Sequence, residues 1–334
     1  MANKWTFTDI DRQEAEPLAR FLPGRLYDIH AHCYRVQDLH LTGADSWSDG
    51  PSDVSVSLWH THLSRYMGTG GSSLTGGLFF PAPVRTADLD RENDYLAEQL
   101  RSHPASRGLL CVSPGYPQES VAAYLAQPQM AGFKPYYVFS DETPVQQASV
   151  PSFCPEWIWE MAHDRRKIIM LHIMKDGAIA DPDNRRHIRE MCLKYPRARL
   201  ILAHAARSFH APHARQGLGA LQDLDNVWFD TSAVCEPEAL YEVLQRFGAG
   251  RLLWGSDFPM SEIRGKCVTV GSGFVWLDND SIEWERHPYC RPTLIGIESL
   301  RALQTACRYA DLNKDEIEAV FCRNAMSLLG VGDD

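Results

Sequence analysis

Leu26-Tyr27-Asp28-Ile29-His30-Ala31-His32 is the stretch on which the reading of the fold turns. It is a short run of strand-forming residues that ends in two histidines one residue apart. Successive side chains of a β-strand face opposite ways, so His30 and His32 point to the same side. Two imidazoles side by side at a strand end can share one metal ion. A His-x-His alone is weak evidence. Its weight comes from Leu171-His172, Ala203-His204 and Gly255-Ser256-Asp257-Phe258-Pro259, each of which ends a short apolar run and adds a further ligand.

Outward from this strand (25–30), apolar strand candidates follow at 74–80, 107–112, 130–135, 167–172, 199–204, 226–230 and 250–256, eight in all. Amphipathic runs of helical period lie between most of them: Leu89 to Arg101, Glu119 to Ala126, Pro155 to His163, Asn184 to Lys194, Leu218 to Leu224 and Pro237 to Phe247. Eightfold strand–helix alternation predicts a (β/α)8 TIM barrel. The competing doubly wound sheet would want a glycine-rich turn after its first strand, where this chain has its two histidines. Residues 1–24 read as a leader closed by Pro23-Gly24. The irregular segments 33–72, with one helix expected at about 52–67, and 258–292 read as lid-like insertions after strands 1 and 8. Two further helices are expected at Leu294 to Tyr309 and Lys314 to Leu329. The whole chain, 1–334, is expected to be a single domain.

The totals bound the function. The 334 residues are 44% hydrophobic, ample for one large core, and 33 basic against 43 acidic residues give a formal charge of −10. No basic run is present, which argues against nucleic acid or an anionic membrane as partner, and no apolar run approaches a membrane span. Nine scattered cysteines without a Cys-x-x-Cys pair, and a polar N-terminus, point to reduced thiols in the cytoplasm.

In such barrels the strand ends and the loops after them form the active face. His30 and His32 close the first strand, Lys134 the fourth, His172 the fifth, His204 the sixth and Asp257 the eighth. Three neutral imidazoles and one carboxylate suit Zn²⁺, with room for water or a substrate oxygen. Such a metal lowers the pKa of its water toward ~7, and Asp257 is placed to shuttle the proton. His204 could ligate, or donate to a developing oxyanion. Singly, His172 and His204 read as core histidines and Asp257 as a turn residue; jointly they read as a site. Arg207, Arg264 and Lys134 near the same rim suggest that the substrate is carboxylated or hydroxylated, the alternative being structural ion pairs. His60-Thr61-His62 falls in the helix expected over 52–67, where residues two apart diverge. His210, His213 and His287 are assigned to loops, and His40, His103, His163 and His187 to the surface or to helices.

With these residues laid out, the chain resembles the amidohydrolase superfamily, in the branch of metal-dependent TIM-barrel hydrolases and aminocarboxymuconate-semialdehyde decarboxylase-like enzymes (amidohydrolase 2). The matching pieces are Asp28-Ile29-His30-Ala31-His32, Gly132-Phe133-Lys134-Pro135, Leu171-His172, Leu202-Ala203-His204, Trp254-Gly255-Ser256-Asp257-Phe258-Pro259 and Phe321-Cys322-Arg323-Asn324-Ala325, over about residues 25 to 330. The resemblance implies that His30, His32, His172 and Asp257 bind a single divalent metal, zinc with manganese as the alternative, and that His204 is catalytic or orienting beside it. In binuclear relatives a carboxylated lysine on the fourth strand bridges two metals. Lys134 stands near that place in a setting that looks like the mononuclear branch.

The expected activity is hydrolysis of a small lactone, amide or ester by metal-bound hydroxide. The alternative is non-oxidative decarboxylation of a carboxylated small molecule, in which group many members replace the first histidine by glutamate. A ligand-binding barrel without turnover is the third reading, disfavoured because none of the site positions is missing. Tyr34, Trp47, Trp59, Tyr66, Phe274, Trp276 and Trp284 in the insertions would wall a pocket, pack the insertions onto the barrel, or build a subunit contact such as a homodimer's.

Overall fold

The computed structural model describes residues 4–43, 45–68 and 70–332. Eight parallel strands follow one another in sequence order around one sheet: β1 (Arg25–His32), β2 (Ser73–Phe80), β3 (Arg107–Val112), β4 (Met130–Pro135), β5 (Ile168–Leu171), β6 (Arg199–Leu202), β7 (Val227–Asp230) and β8 (Leu252–Leu253). The sheet closes on itself. Ile29 N donates to Trp254 O (3.0 Å), Asp257 N to His30 O (2.8 Å) and His32 N to Phe258 O (2.7 Å). Helices lie between the strands, so the molecule is a (β/α)8 barrel as the alternation predicts.

Hydrophobic patterning explains the layering. Tyr27, Ile29, Leu78, Phe80, Leu109 and Met170 belong to a buried cluster drawn from the strands and closed by Ala325, Met326 and Leu328 of the C-terminal helix. A larger cluster fills the layer between the strands and the helices. Close packing of neighbouring strands needs a missing side chain at one place. A Cβ on Gly132 would stand 1.9 Å from the carbonyl oxygen of Ile168, so only glycine lets β4 approach β5 there.

Helix bounds match the expected ones at Leu89–Arg101 and Pro237–Phe247. Elsewhere the structure departs from the sequence reading. The helical run expected at Leu218 to Leu224 begins and ends earlier, as Ala211–Gly217 followed by a 3₁₀ turn at Leu218–Leu221. The eighth strand is only two residues long, although Trp254 and Asp257 beyond it still bond to β1, and Asp257 takes a positive φ of +61°. The leader contains a helix, Asp9–Ala15, whose buried Asp11 is tied to Arg264. The segment 258–292 is not irregular throughout. It carries an antiparallel hairpin, β9 (Gly265–Val270) and β10 (Gly273–Asp278), turned at Gly271, whose φ of +58° favours glycine. Alternation in Lys266-Cys267-Val268-Thr269-Val270 carried that signal.

One buried acid in the helical layer makes the fold sensitive to pH. Glu92 is fully buried, takes one hydrogen bond from Arg35 N at 3.0 Å, and leaves Oε2 without a partner. Burial pushes its carboxyl up to about 8. The folded state therefore holds this proton more tightly than the unfolded chain does, so the associated stability is complete below the ordinary value of 4.5 and is lost as the pH rises through about 8. Glu92→Gln is expected to raise the thermal midpoint at pH 8.5 by several degrees, for a gain on the order of 2–4 kcal/mol, and to change it little at pH 4. Equal shifts at both values would show that ionisation of Glu92 is not the cause.

Candidate active site

The site is assembled by departures from regular strand geometry. Strict alternation would put His30 and His32 on the face opposite Tyr27 and Ile29, but the pairing of β1 with β2 shifts register between Asp28 and Ala31. Beyond that irregularity both imidazoles stand against Phe80, with ring centroids 4.9 and 4.6 Å away. Asp28 fastens the turn. It accepts bonds from His30 N, Ser256 N, Ser256 Oγ and Trp59 Nε1, clipping the end of β1 to the segment after β8. Gly255 completes the approach, since a Cβ there would lie 2.8 Å from that of His30.

These contacts place the Asp257 carboxylate between the histidines. Its Oδ1 is 3.2 Å from His30 Nε2 and 3.6 Å from His32 Nε2, while Oδ2 lies 3.9 Å from His204 Nδ1. Asp257 sits at φ +61°, Ala233 at +55°, and His204, Ala205, Ala206 and Arg207 form four consecutive left-handed residues. Such backbone costs energy for non-glycine residues and persists only where the surroundings dictate it. Here His204 N donates to Asp230 Oδ1 at 2.8 Å.

Hydrogen bonding fixes the tautomers of three histidines. His32 Nδ1 bonds to Pro81 O at 3.1 Å and His204 Nδ1 to Ser232 O at 2.8 Å; a carbonyl only accepts, so each Nδ1 carries the hydrogen. His30 Nδ1 faces Asp230 Oδ2 at 2.9 Å, and Asp230 is held at about 2, burial opposing and the His30 and His204 imidazoles prevailing. In the neutral rings the lone pairs are therefore on Nε2, and those of His30 and His32 are the nitrogens beside Asp257. A carboxylate or carbonyl holding the far nitrogen of a histidine is the usual support of a metal ligand. The arrangement refines the role of His204. With Nδ1–H committed to Ser232 and burial lowering its pKa, neutral His204 offers an acceptor at Nε2 and no oxyanion donor.

His172 lines the same cavity, its ring 4.9 Å from that of His204, and its buried Nδ1 has no hydrogen-bond partner. Burial lowers the pKa of His32 to about 4 and that of His172 well below its ordinary value. Asp257 is held well below the usual carboxylate range; burial opposes this, but the surrounding His30, His204 and His32 imidazoles outweigh it. Although burial and the Lys134 ammonium oppose it, the Asp230 and Asp257 carboxylates raise the pKa of His30. The same field favours a bound cation. His30, His32 and Asp257 form one group of converging ligand atoms; His30, His204 and Asp230 form a second, in which His30 Nδ1 is already bonded to Asp230 Oδ2 and His204 Nδ1 to Ser232 O. The donor set of the first group fits a divalent metal; His172 stands outside that group, against His204.

The basic residues separate into three cases. Arg207 lines the cavity, with its guanidinium 5.2 Å from the Phe274 ring centroid and one bond to Lys175 O. Lys134 is fully buried and does not line the cavity; Nζ rests 4.4 Å over Phe80 without a hydrogen-bond partner, and burial lowers its pKa to about 8. Arg264 is not brought to the cavity. Asp11, Thr6 O and Pro292 O engage its guanidinium, so it stitches the N-terminal helix to the second insertion. Among the second histidine pair, His62 is buried against Glu262 at 2.7 Å and His60 is exposed, as expected of residues two apart on the helix Val56–Met67.

Sequence reasoning missed Asp230 and Ser232, although Phe229-Asp230 ends a strand as Asp257 follows one, and that was the available signal. It also missed Tyr136 and Tyr137, which directly follow β4 and lean on His172 at 5.0 and 5.5 Å. Of the aromatics in the insertions, Trp47, Phe274 and Trp276 line the cavity; Trp59 is bound to Asp28, Tyr34 supports Trp47 through its carbonyl, and Tyr66 and Trp284 are not among the lining residues.

Residues 72–331 match the amidohydrolase family model, and the chain belongs to that family. An L-fucono-1,5-lactonase from Burkholderia ambifaria is 27% identical over 129 residues, covering 33% of this chain and 43% of the lactonase. The match thus spans under half the length of that curated relative. Among solved structures, a zinc-bound amidohydrolase from Burkholderia multivorans superposes with a TM-score of 0.62 at 16% identity, over 92% of this chain and 99% of that one. A 5-carboxyvanillate decarboxylase from Sphingomonas paucimobilis gives 0.55 at 14% identity, over 93% and 100%. The chain is thus an amidohydrolase-superfamily enzyme, in a family that generally uses a divalent metal and whose fold serves both hydrolases and decarboxylases.

Proposed function

We propose that the protein is a metal-dependent hydrolase of a small lactone, ester or amide, with His30, His32, His172 and Asp257 holding one divalent cation, zinc or manganese. The observation that carries this reading is the meeting of His30 Nε2, His32 Nε2 and Asp257 Oδ1 within 3.2–3.6 Å, each imidazole held from behind at Nδ1. A bound divalent cation supplies Lewis acidity, polarising a carbonyl and bringing the pKa of water toward ~7. Asp257, kept ionised by its histidine neighbours, takes the proton of the attacking water at Oδ2 and returns it to the leaving oxygen or nitrogen. His204, an acceptor at Nε2, orients that water or adds a ligand. Arg207 binds an anionic group of the substrate. The nine unpaired cysteines support a reducing compartment, the cytoplasm.

A decarboxylase is the second reading, favoured by Arg207, whose guanidinium could hold a substrate carboxylate beside the reacting centre. Incubating the zinc-loaded protein with a lactone, ester and amide panel, and in parallel with carboxylated aromatics under CO₂ detection, separates the two. CO₂ release without any hydrolysis would overturn the first.

Asp230 is expected to act through His30. Asp230→Asn keeps the shape but weakens the grip on Nδ1, so metal affinity should fall about 10–100-fold, read as the free-metal concentration that restores half activity. Excess metal should rescue most of kcat; a kcat loss that saturating metal leaves unchanged would give Asp230 a different role.

A further inference from the structure

We propose that the cavity selects a flat, unsaturated ring bearing a single anionic group and discriminates against polyhydroxylated rings; this deepens the hydrolase reading and rests on it for the reacting end only. The cavity holds about 330 Å³, room for a one- or two-ring ligand. Its aromatic lining is Trp47, Tyr136, Tyr137, Phe209, Phe274 and Trp276, joined by four methionine or isoleucine side chains. Among the described residues no serine, threonine, asparagine or glutamine lines it. Apart from its charged and histidine side chains, the lining can meet a hydroxyl only through Tyr136, Tyr137 and the indole N–H groups of Trp47 and Trp276, so a ring carrying several hydroxyls would leave some without partners, and buried polar groups without partners cost free energy. A planar ring meets the opposite situation, because the walls are π-faces. Phe209 stands 5.1 Å from Phe274, 5.2 Å from Trp276 and 5.2 Å from His204, so an aromatic surface leads directly to the catalytic histidines.

The charge requirement comes from Arg207. Among the described residues it makes no ion pair, and its one hydrogen bond, to Lys175 O, leaves most of the guanidinium's donors uncommitted. It is half-buried against Phe274, and burial lowers its pKa. Asp176 acts on it from a distance but makes no contact pair; a partly desolvated cation without a carboxylate in contact is a receptor for one, and a planar fork suits a carboxylate. The other cavity charge outside the metal group, Asp278, already spends Oδ1 on the amides of Asp280 and Ser281. One anionic substituent, and not two, is what this lining accommodates.

The test measures binding by calorimetry to the zinc-loaded full chain, using 1-naphthoate, its neutral analogue 1-naphthamide, and D-glucuronate, a polyhydroxylated ring with one carboxylate. Naphthoate is expected to bind at least tenfold tighter than either of the others. In Arg207→Met the advantage of naphthoate over naphthamide should shrink to within twofold, with Arg207→Lys intermediate, while Trp276→Ala weakens both naphthyl ligands at least fivefold. Glucuronate binding as tightly as naphthoate, or naphthoate indifferent to Arg207→Met, overturns the proposal. A second arm compares kcat/KM for coumarin-3-carboxylate and D-glucono-1,5-lactone. Preference for the sugar lactone sinks the pocket assignment and leaves the hydrolase reading standing. Naphthoate selectivity in a protein that cleaves no lactone, ester or amide sinks the hydrolase reading and upholds the pocket assignment.

Discussion

Asp257→Asn is expected to lower kcat by at least about 1,000-fold, roughly 4 kcal/mol of barrier, while leaving the fold intact. The side chain is buried and its peptide N–H donates to His30 O, a backbone contact that the substitution does not touch. Asparagine occupies the same volume and can adopt the left-handed φ of +61° as readily as aspartate does. What it loses is charge: the amide cannot take a proton from water, and it is a poorer ligand than a carboxylate. The measurement is steady-state turnover at saturating metal, beside a melting curve. Residual activity within tenfold of the parent would remove Asp257 from proton transfer, and an unfolded variant would call for Asp257→Glu as the replacement test.

Much of this site was legible before any coordinates. Each of His30, His32, His172, His204 and Asp257 ends or follows a strand, and strand ends of a parallel barrel share one rim. Period-two spacing put His30 and His32 on one side, and they are. The pattern could not show the register shift that turns both of them toward Phe80, because a bulge is set by the neighbouring strand. Arg264 shows the other limit. Its sequence distance from Asp257 is short, yet Asp11, far away in the chain, claims its guanidinium. Charge pairing across some 250 residues has no local signature. Asp230 was legible in principle, as an acid closing β7, but nothing in Val227-Trp228-Phe229-Asp230 says that its partner is the imidazole of His30.

Removing the divalent cation is expected to have the second large effect. Prolonged dialysis against a strong chelator should reduce turnover at least about 100-fold, and one equivalent of zinc or manganese per chain should restore it. A readout apart from activity is available. A ligand that binds only the folded state stabilises it by RT ln(1 + [L]/Kd), about 4 kcal/mol at a thousandfold excess over Kd. The chelated protein should therefore melt several degrees lower, and the loss should be smaller in Asp257→Asn or in His32→Ala. Full activity after chelation would dismiss the metal, and two ions per chain by elemental analysis would dismiss a single-ion centre and bring the unpartnered Lys134 into question as a second ligand.

The hairpin β9–β10 brings Phe274 and Trp276 to the cavity, and its polar ties to the rest of the chain include Gly265 N to Thr293 O, Thr269 N to Glu236, Thr269 Oγ1 with His210 Nδ1, and Lys266 with Glu298. No strand of the barrel depends on it for pairing. Two of the cavity's aromatic walls thus sit on a piece of polypeptide separate from the rim that carries His30, His32, His204, Arg207 and Asp257. A lineage could lengthen, shorten or exchange this flap and acquire a new diet while its metal-binding rim stayed as it was.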